Sequence, residues 1–250
     1  MGYAAKRRLA VFGILFLIFG IFAYWFYDAK IKEHPSCSDK IQNQEEEGVD
    51  CGGPCQKICS FKAAKVNIKW TRAFEVVDGV FNIASEIENP NYSYAYDLDY
   101  KLKFINSRGI KVGEIKQHTH LNPLEKKIIF YPGIKLKGQK IDKVFLIQDR
   151  IYNLKNIPEQ DDKLTVNAKE LNYENNLTRL KVIIQNDDFK PQRNIQVSGV
   201  LMDATGTVID INRTYIDYLD KYEKKEVYMT WPRKIDGVTE IKIFLEKTEI

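Results

Sequence analysis

Cysteine is nearly absent from this chain. Of 250 residues four are cysteine, and all four lie between positions 37 and 59. Disulfides therefore cannot hold most of the length together, which must fold on a buried apolar core of one large domain or two of about 100 residues. A surplus of one charge is missing too. The net charge is +4, with Lys and Arg interleaved with Asp and Glu, which excludes a basic nucleic-acid surface. Histidine is limited to His34, His118 and His120. No phosphate-binding glycine loop, nucleophile elbow or H-E-x-x-H pair occurs, so no catalytic residue and no cofactor is assigned. The paired acids Asp97 and Asp99 are read as solvated groups on the polar face of a strand.

What is present begins with one long apolar run. Leu9 to Tyr27 contains no charged residue, about 19 residues or roughly 28 Å of helix, near the hydrocarbon thickness of a bilayer. Lys6, Arg7 and Arg8 precede it, and Tyr24, Trp25 and Tyr27 close it, as at a lipid–water interface. The reading is a single transmembrane helix over 9–27 in contact with membrane lipid. A basic cytoplasmic N-terminus, 1–8, precedes it, and all later residues lie outside the cytoplasm. The bulky end of the run does not suit signal cleavage.

The cysteines follow as Cys37-x13-Cys51-x3-Cys55-x3-Cys59. In an oxidising compartment two disulfides are expected, and spacing does not choose among the three connectivities. So short a segment, 28–61, cannot bury a core of its own, and cross-links must hold it. Zinc is the competing reading, but structural zinc sites usually pair cysteines as C-x2-C or similar, and x3 twice over is a poor match. No metal is assigned, with Asp39, Asn43 and Asp50 kept as weak calcium candidates because hard cations take oxygen ligands.

The stretch from Cys37 to Cys55 resembles a short Cys-rich repeat of bacterial surface proteins, C-S/T-D-G-I-x-N-x-x-E-x-G-x-D-C-G-G-x-C-x-x-C. It departs from that pattern at Lys40, where glycine is usual, and in its last spacing. The resemblance implies an exported surface protein and no reaction.

From Lys62 onward the pattern is that of strands. Between Tyr92 and Phe104 every second residue is aromatic or aliphatic, which places Tyr92, Tyr94, Tyr96, Leu98, Tyr100, Leu102 and Phe104 on one strand face. The second half repeats the first at an offset of about 97 residues. Ile87-Glu88-Asn89-Pro90 answers to Ile184-Gln185-Asn186-Asp187, Gly109 to Gly206, and Leu124-Glu125-Lys126-Lys127 to Tyr222-Glu223-Lys224-Lys225. The fold class expected is all-β: two tandem Ig-like antiparallel β-sandwich domains, 62–157 and 158–250, joined over Asn156 to Lys163.

The segment Val197 to Ile209 is similar to the hairpin of FxLYD-type domains, which are Ig-like or fibronectin-like sandwiches. Asn186 fits their strand-end turn and Tyr222-Glu223-Lys224 their L-x-P-G-E loop. Leu201-Met202 and Phe104-Ile105 stand where Leu-Tyr is usual. The resemblance implies a fold and no activity.

Two surface features remain. His118 and His120, two apart, share a strand face and could ligate a metal, although a plain surface pair is the favoured reading. Tyr92, Tyr94 and Tyr96 form a possible binding patch for an unknown protein or glycan, against the alternative that they fill the core. The function expected is a non-enzymatic binding or structural protein of the cell envelope. The alternative is an accessory subunit of a secretion or cell-wall complex that docks through its helix, where Gly13 and Gly20 lie near one face.

Overall fold

A computed structural model describes residues 3–28, 36–136, 140–157 and 163–247. The chain divides into two compact units, 1–57 and 58–250. In the first, α1 (Tyr3–Phe26) is a continuous helix with no acidic residue in its first turn and no basic residue in its last. Every described side chain from Val11 to Tyr27 is exposed. Apolar residues therefore cover all sides of the helix rather than one stripe. Among the described residues, no helix is long and apolar enough to cross a membrane. The second half of this unit, from Ser36, is a loop with no regular secondary structure beyond a Gly48–Cys51 bridge.

The second unit opens with a 3-10 turn at Ser60–Lys62 and continues as twelve strands. The first six are β1 (Asn67–Val77), β2 (Val80–Glu88), β3 (Tyr94–Ile105), β4 (Lys111–Leu121), β5 (Lys126–Lys135) and β6 (Lys143–Asn156). They are followed by β7 (Leu164–Glu174), β8 (Leu177–Asn186), β9 (Gln192–Met202), β10 (Val208–Leu219), β11 (Lys224–Trp231) and β12 (Glu240–Lys247). They form four antiparallel three-stranded sheets, ordered β1-β2-β5, β4-β3-β6, β7-β8-β11 and β10-β9-β12. The third order is the first advanced by six strands, and the fourth is the second advanced likewise. The joint expected over 156–163 falls mostly outside the described residues, between the end of β6 and the start of β7.

Alternation explains each core. In β3, Tyr96, Leu98, Tyr100, Leu102 and Phe104 point inward against Phe81, Ile83 and Ile87 of β2 and Ile129 of β5. In the second half Ile195, Val197 and Leu201 of β9 meet Leu180, Val182 and Ile184 of β8 and Val227, Met229 and Trp231 of β11. Each sheet pair thus encloses one cluster, as a two-layer β unit must.

The two halves also share a third cluster. Phe74 of β1, Ala84 of β2 and Ile128 of β5 pack on Val200 and Met202 of β9 and Val208 and Ile211 of β10. The outer face of sheet β1-β2-β5 is therefore pressed on the outer face of sheet β10-β9-β12, and the four sheets stack as layers. Strand β9 is buried on both faces, from Val197 through Met202. Polar contacts cross this seam. Arg213 Nη2 donates to the Ile128 carbonyl at 2.7 Å, while Glu246 Oε1 accepts from the Ile128 N–H at 2.9 Å. Together they occupy the outward backbone groups of an edge strand, which would otherwise invite another strand. Arg72 donates to the Val208 carbonyl at 3.0 Å, and Arg233 to that of Glu75 at 2.7 Å while its other nitrogen meets Asp210 at 2.6 Å. Asp210 and Glu246 are buried, and loss of hydration pushes both carboxyls above their ordinary values.

Candidate functional site

The cysteine loop is built from acidic side chains turned inward. Cys37 and Cys55 are bonded, with Cα atoms 5.6 Å apart. Cys51 and Cys59 are also oxidised, so the chain has two disulfides and no free thiol. Asp50 receives the Lys40 N–H on both oxygens, at 3.0 and 3.2 Å. Lys40 has φ 63°, a left-handed conformation that glycine adopts more readily, at the position where the resembled repeat has glycine. Asp39 accepts from the N–H groups of Ser36 and Ile41 and from Asn43 Nδ2. The Asn43 amide and those N–H groups hold the Asp39 carboxyl below the usual range. Glu46 is buried and takes the Asp50 N–H at 3.1 Å.

These carboxylates act as staples for a segment too short for a core. The calcium candidates Asp39, Asn43 and Asp50 thus have their oxygens turned largely to the loop's own backbone, apart from Asn43 Oδ1, which is buried with no hydrogen-bond partner among the described residues. Among the described residues, the one group of three potential ligand atoms within 4.8 Å is Cys37, Glu46 and Cys55. Two of its members are disulfide sulfurs, which offer no thiolate to zinc.

The tyrosine patch is not one surface. Strand β3 starts at Tyr94, so Tyr92 sits in the preceding loop, 78% exposed, and Tyr94 is half-buried. Tyr96 is fully buried, which corrects its assignment to a binding patch. Burial pushes its hydroxyl up to about 12, and no hydrogen-bond partner meets it among the described residues. The even alternation expected from Tyr92 onward holds from Tyr96 to Phe104 and fails before it, because β3 begins only at Tyr94 and Tyr92 lies in the loop. Further along, Tyr100 and Tyr131 exchange a hydroxyl hydrogen bond at 2.8 Å inside the core.

His118 and His120 do share the outer face of sheet β4-β3-β6, opposite Asp99 and Asp97. They are engaged differently. His120 Nδ1 and Asn153 Nδ2 each lie 2.7 Å from an oxygen of Asp97, while Asp99 is held by Arg150 at 3.0 Å. Burial raises the Asp97 carboxyl, but the His120 and Asn153 hydrogen bonds outweigh it and leave it lowered. No nucleophile lies in this cluster, and its groups read as a cross-strand polar ladder.

The feature that sequence reading did not assemble is at the loop ends. Asn89 and Asn186 are fully buried at equivalent places. Asn89 Nδ2 donates to the carbonyls of Tyr94 and Asn122, at 2.8 and 2.7 Å, and its Oδ1 accepts from Asn91 N. Asn186 does the same with Lys190, Asp220 and Asp188, at 2.8, 2.9 and 3.0 Å. Each asparagine ties two loops together and thrusts one aromatic side chain outward. These are Tyr92 in the first copy and Phe189 in the second, the latter 60% exposed with Lys163 and Lys190 over its ring at 5.8 and 5.4 Å. Tyr222, 62% exposed, joins Phe189 from the adjoining β10–β11 loop. The signal was available, since Phe189 follows Tyr92 by the repeat offset of 97.

No protein-family model and no curated protein matches the chain. Among solved structures, similarity is found to a red sea bream transglutaminase, at 11% identity and TM-score 0.23, over 73% of this chain and 29% of that one. A β-glucuronidase of glycoside hydrolase family 2 matches at 11% identity and TM-score 0.25, over 86% and 29%. The tandem CBM22 domains of Paenibacillus barcinonensis Xyn10C match at 8% identity and TM-score 0.16, over 74% and 84%. The chain spans under a third of the first two proteins, and scores this low carry no functional argument.

Proposed function

We propose that this chain is a membrane-anchored, extracytoplasmic binding or structural protein of the cell envelope, without catalytic activity. The observation that carries the reading is α1, whose described side chains from Val11 to Tyr27 are exposed on every side. So apolar a surface requires an apolar surrounding. With Leu9 and Ala10, which precede these residues in sequence, the run reaches the length that spans a bilayer. Two disulfides and no free thiol agree with an oxidising compartment. In this reading the N-terminus is cytoplasmic, and both copies of the β unit lie outside. Each copy is proposed as an Ig-like sandwich of the FxLYD type, on a bacterial surface protein.

A second reading has one observation of its own. Gly13, Phe16, Leu17, Gly20, Ile21 and Tyr24 line a single groove along α1, which suits close approach of another helix. In that case the chain is an accessory subunit of an envelope complex. Exchanging α1 for an unrelated apolar helix separates the two, since retained function favours the exterior module.

Labelling of intact cells with a membrane-impermeant thiol reagent tests the topology. Labelling that appears only after reduction supports the proposal. Thiols that label only after lysis, without reductant, put the β unit in the cytosol and overturn it.

A further inference from the structure

We infer that the end of the β unit bearing Tyr92, Phe189 and Tyr222 is a lipid-docking surface, which rests on the headgroup region of the bilayer that holds α1. This depends on the anchoring proposed above. Three features of the β unit lead to it. First, the two copies lie side by side in the same direction. At one end of the seam Ile128, just inside β5, meets Glu246, near the end of β12. At the other, Glu75 near the end of β1 meets Arg233, which follows β11. The β2–β3 and β8–β9 loops therefore share one end, and the turn glycines Gly109 and Gly206 share the opposite one.

Second, the chain enters the β unit at the aromatic end. Asn91, beside Tyr92, accepts the Ala64 N–H at 2.9 Å and donates to the Ala64 carbonyl at 3.1 Å. The segment that leads into β1 is thus held where the aromatics are. Third, the chemistry of that end fits an interface. Tyr92, Phe189 and Tyr222 are each more than half exposed, so their rings are free to enter the boundary of a bilayer. Aromatic rings with lysines beside them favour the boundary of an anionic bilayer. Lys126, Lys163, Lys190 and Lys221 are exposed here. Acids share these loops: Asp187 and Asp220 are exposed, Asp187 accepts from Thr165 and Gln185, and Glu223 accepts the Asp220 N–H.

Because all native cysteines are oxidised, one introduced thiol can be labelled selectively. The full-length variants Tyr92→Cys, Phe189→Cys and, at the opposite end, Thr205→Cys would each carry a bimane label and be reconstituted into vesicles containing phosphatidylserine and brominated lipid. The expected result is loss of emission at 92 and 189 and none at 205, with the losses reduced when Lys163, Lys190 and Lys221 are replaced by Gln. Equal, negligible quenching at all three positions in vesicle-bound protein overturns the docking surface and leaves the aromatics to a protein partner. Flotation of the same samples reports on the anchor separately. Protein that does not float with the vesicles sinks the anchoring proposal itself.

Discussion

Buried polar groups are where single residues decide most in this chain. Asn186 supplies the amide that satisfies carbonyls from two loops, and leaving such groups buried without a donor costs about 1–3 kcal/mol each. Asn186→Ala is therefore expected to lower stability by at least about 2 kcal/mol, read as a drop in the denaturation midpoint at unchanged slope. Asn89→Ala should behave alike. Tyr96→Phe should do the opposite of an ordinary core truncation. The ring stays, an unpartnered hydroxyl leaves, and the midpoint should hold or rise.

Glu246 gives a signed pH effect. Burial raises its carboxyl above the ordinary value of 4.5, so the folded state binds a proton more readily than the unfolded one. Its contribution to stability is then greatest below about 4.5 and declines as pH rises through the raised folded value. Arg213 and Lys127 facing it draw the value down without reversing the shift, and Glu125 adds to the rise. Glu246→Gln keeps an oxygen for the Ile128 N–H and cannot ionise. Its melting temperature relative to wild type should climb from pH 4 to pH 8; a flat difference would show that the carboxyl is not perturbed.

Among elements, β9 and β3 make the instructive contrast. They occupy the same place in the two copies, yet β3 alternates buried and half-exposed residues while β9 is buried continuously in its second half. The counterparts across the repeat show why. Val200 stands where the first copy has Lys103, and Ile211 where it has Glu114. Ala84 corresponds to Lys181, and Ile128 to Glu226. The seam faces are apolar, and the two faces left outside carry ion pairs such as Lys111–Glu114 and Lys181–Glu226. Charged outer layers stop the stack from recruiting further sheets, as end repeats do in stacked arrays. Val200→Lys, which restores the first copy's residue, would bury an unpaired charge in the seam. Unfolding should then lose its single transition, because the copies are uncoupled. Leu201→Ala, pointing to the other core, should lower one transition by about 2–5 kcal/mol without splitting it.

For the molecule as a whole, the seam makes the two copies one compact unit instead of beads on a flexible link. A chain ending at Asn156 would expose Phe74, Ala84 and Ile128. With α1 removed from both, residues 58–156 are expected to bind a hydrophobic dye and to aggregate at concentrations where residues 58–250 stay monodisperse. Reduction should act elsewhere. The Cys37–Cys55 bond closes a loop of 18 residues that lacks a core of its own, so dithiothreitol should make that loop protease-sensitive while the β circular dichroism persists.

Local pattern was enough to read the apolar run, the strand-rich remainder, the oxidised cysteines and the matching turns at Gly109 and Gly206, because each depends on neighbours within a few residues. Asn186 at a strand end was also legible as a turn residue. Three things required the tertiary structure. Tyr96 was placed with Tyr92 because alternation alone does not show that the strand begins only at Tyr94. The inward turn of Asp39 and Asp50 depends on which backbone N–H groups the disulfides bring near. The seam depends on what lies beyond each sheet. A strand's sequence records whether a face is buried, as the run through Val200, Leu201 and Met202 does, but the identity of the covering surface is a long-range fact that only packing decides.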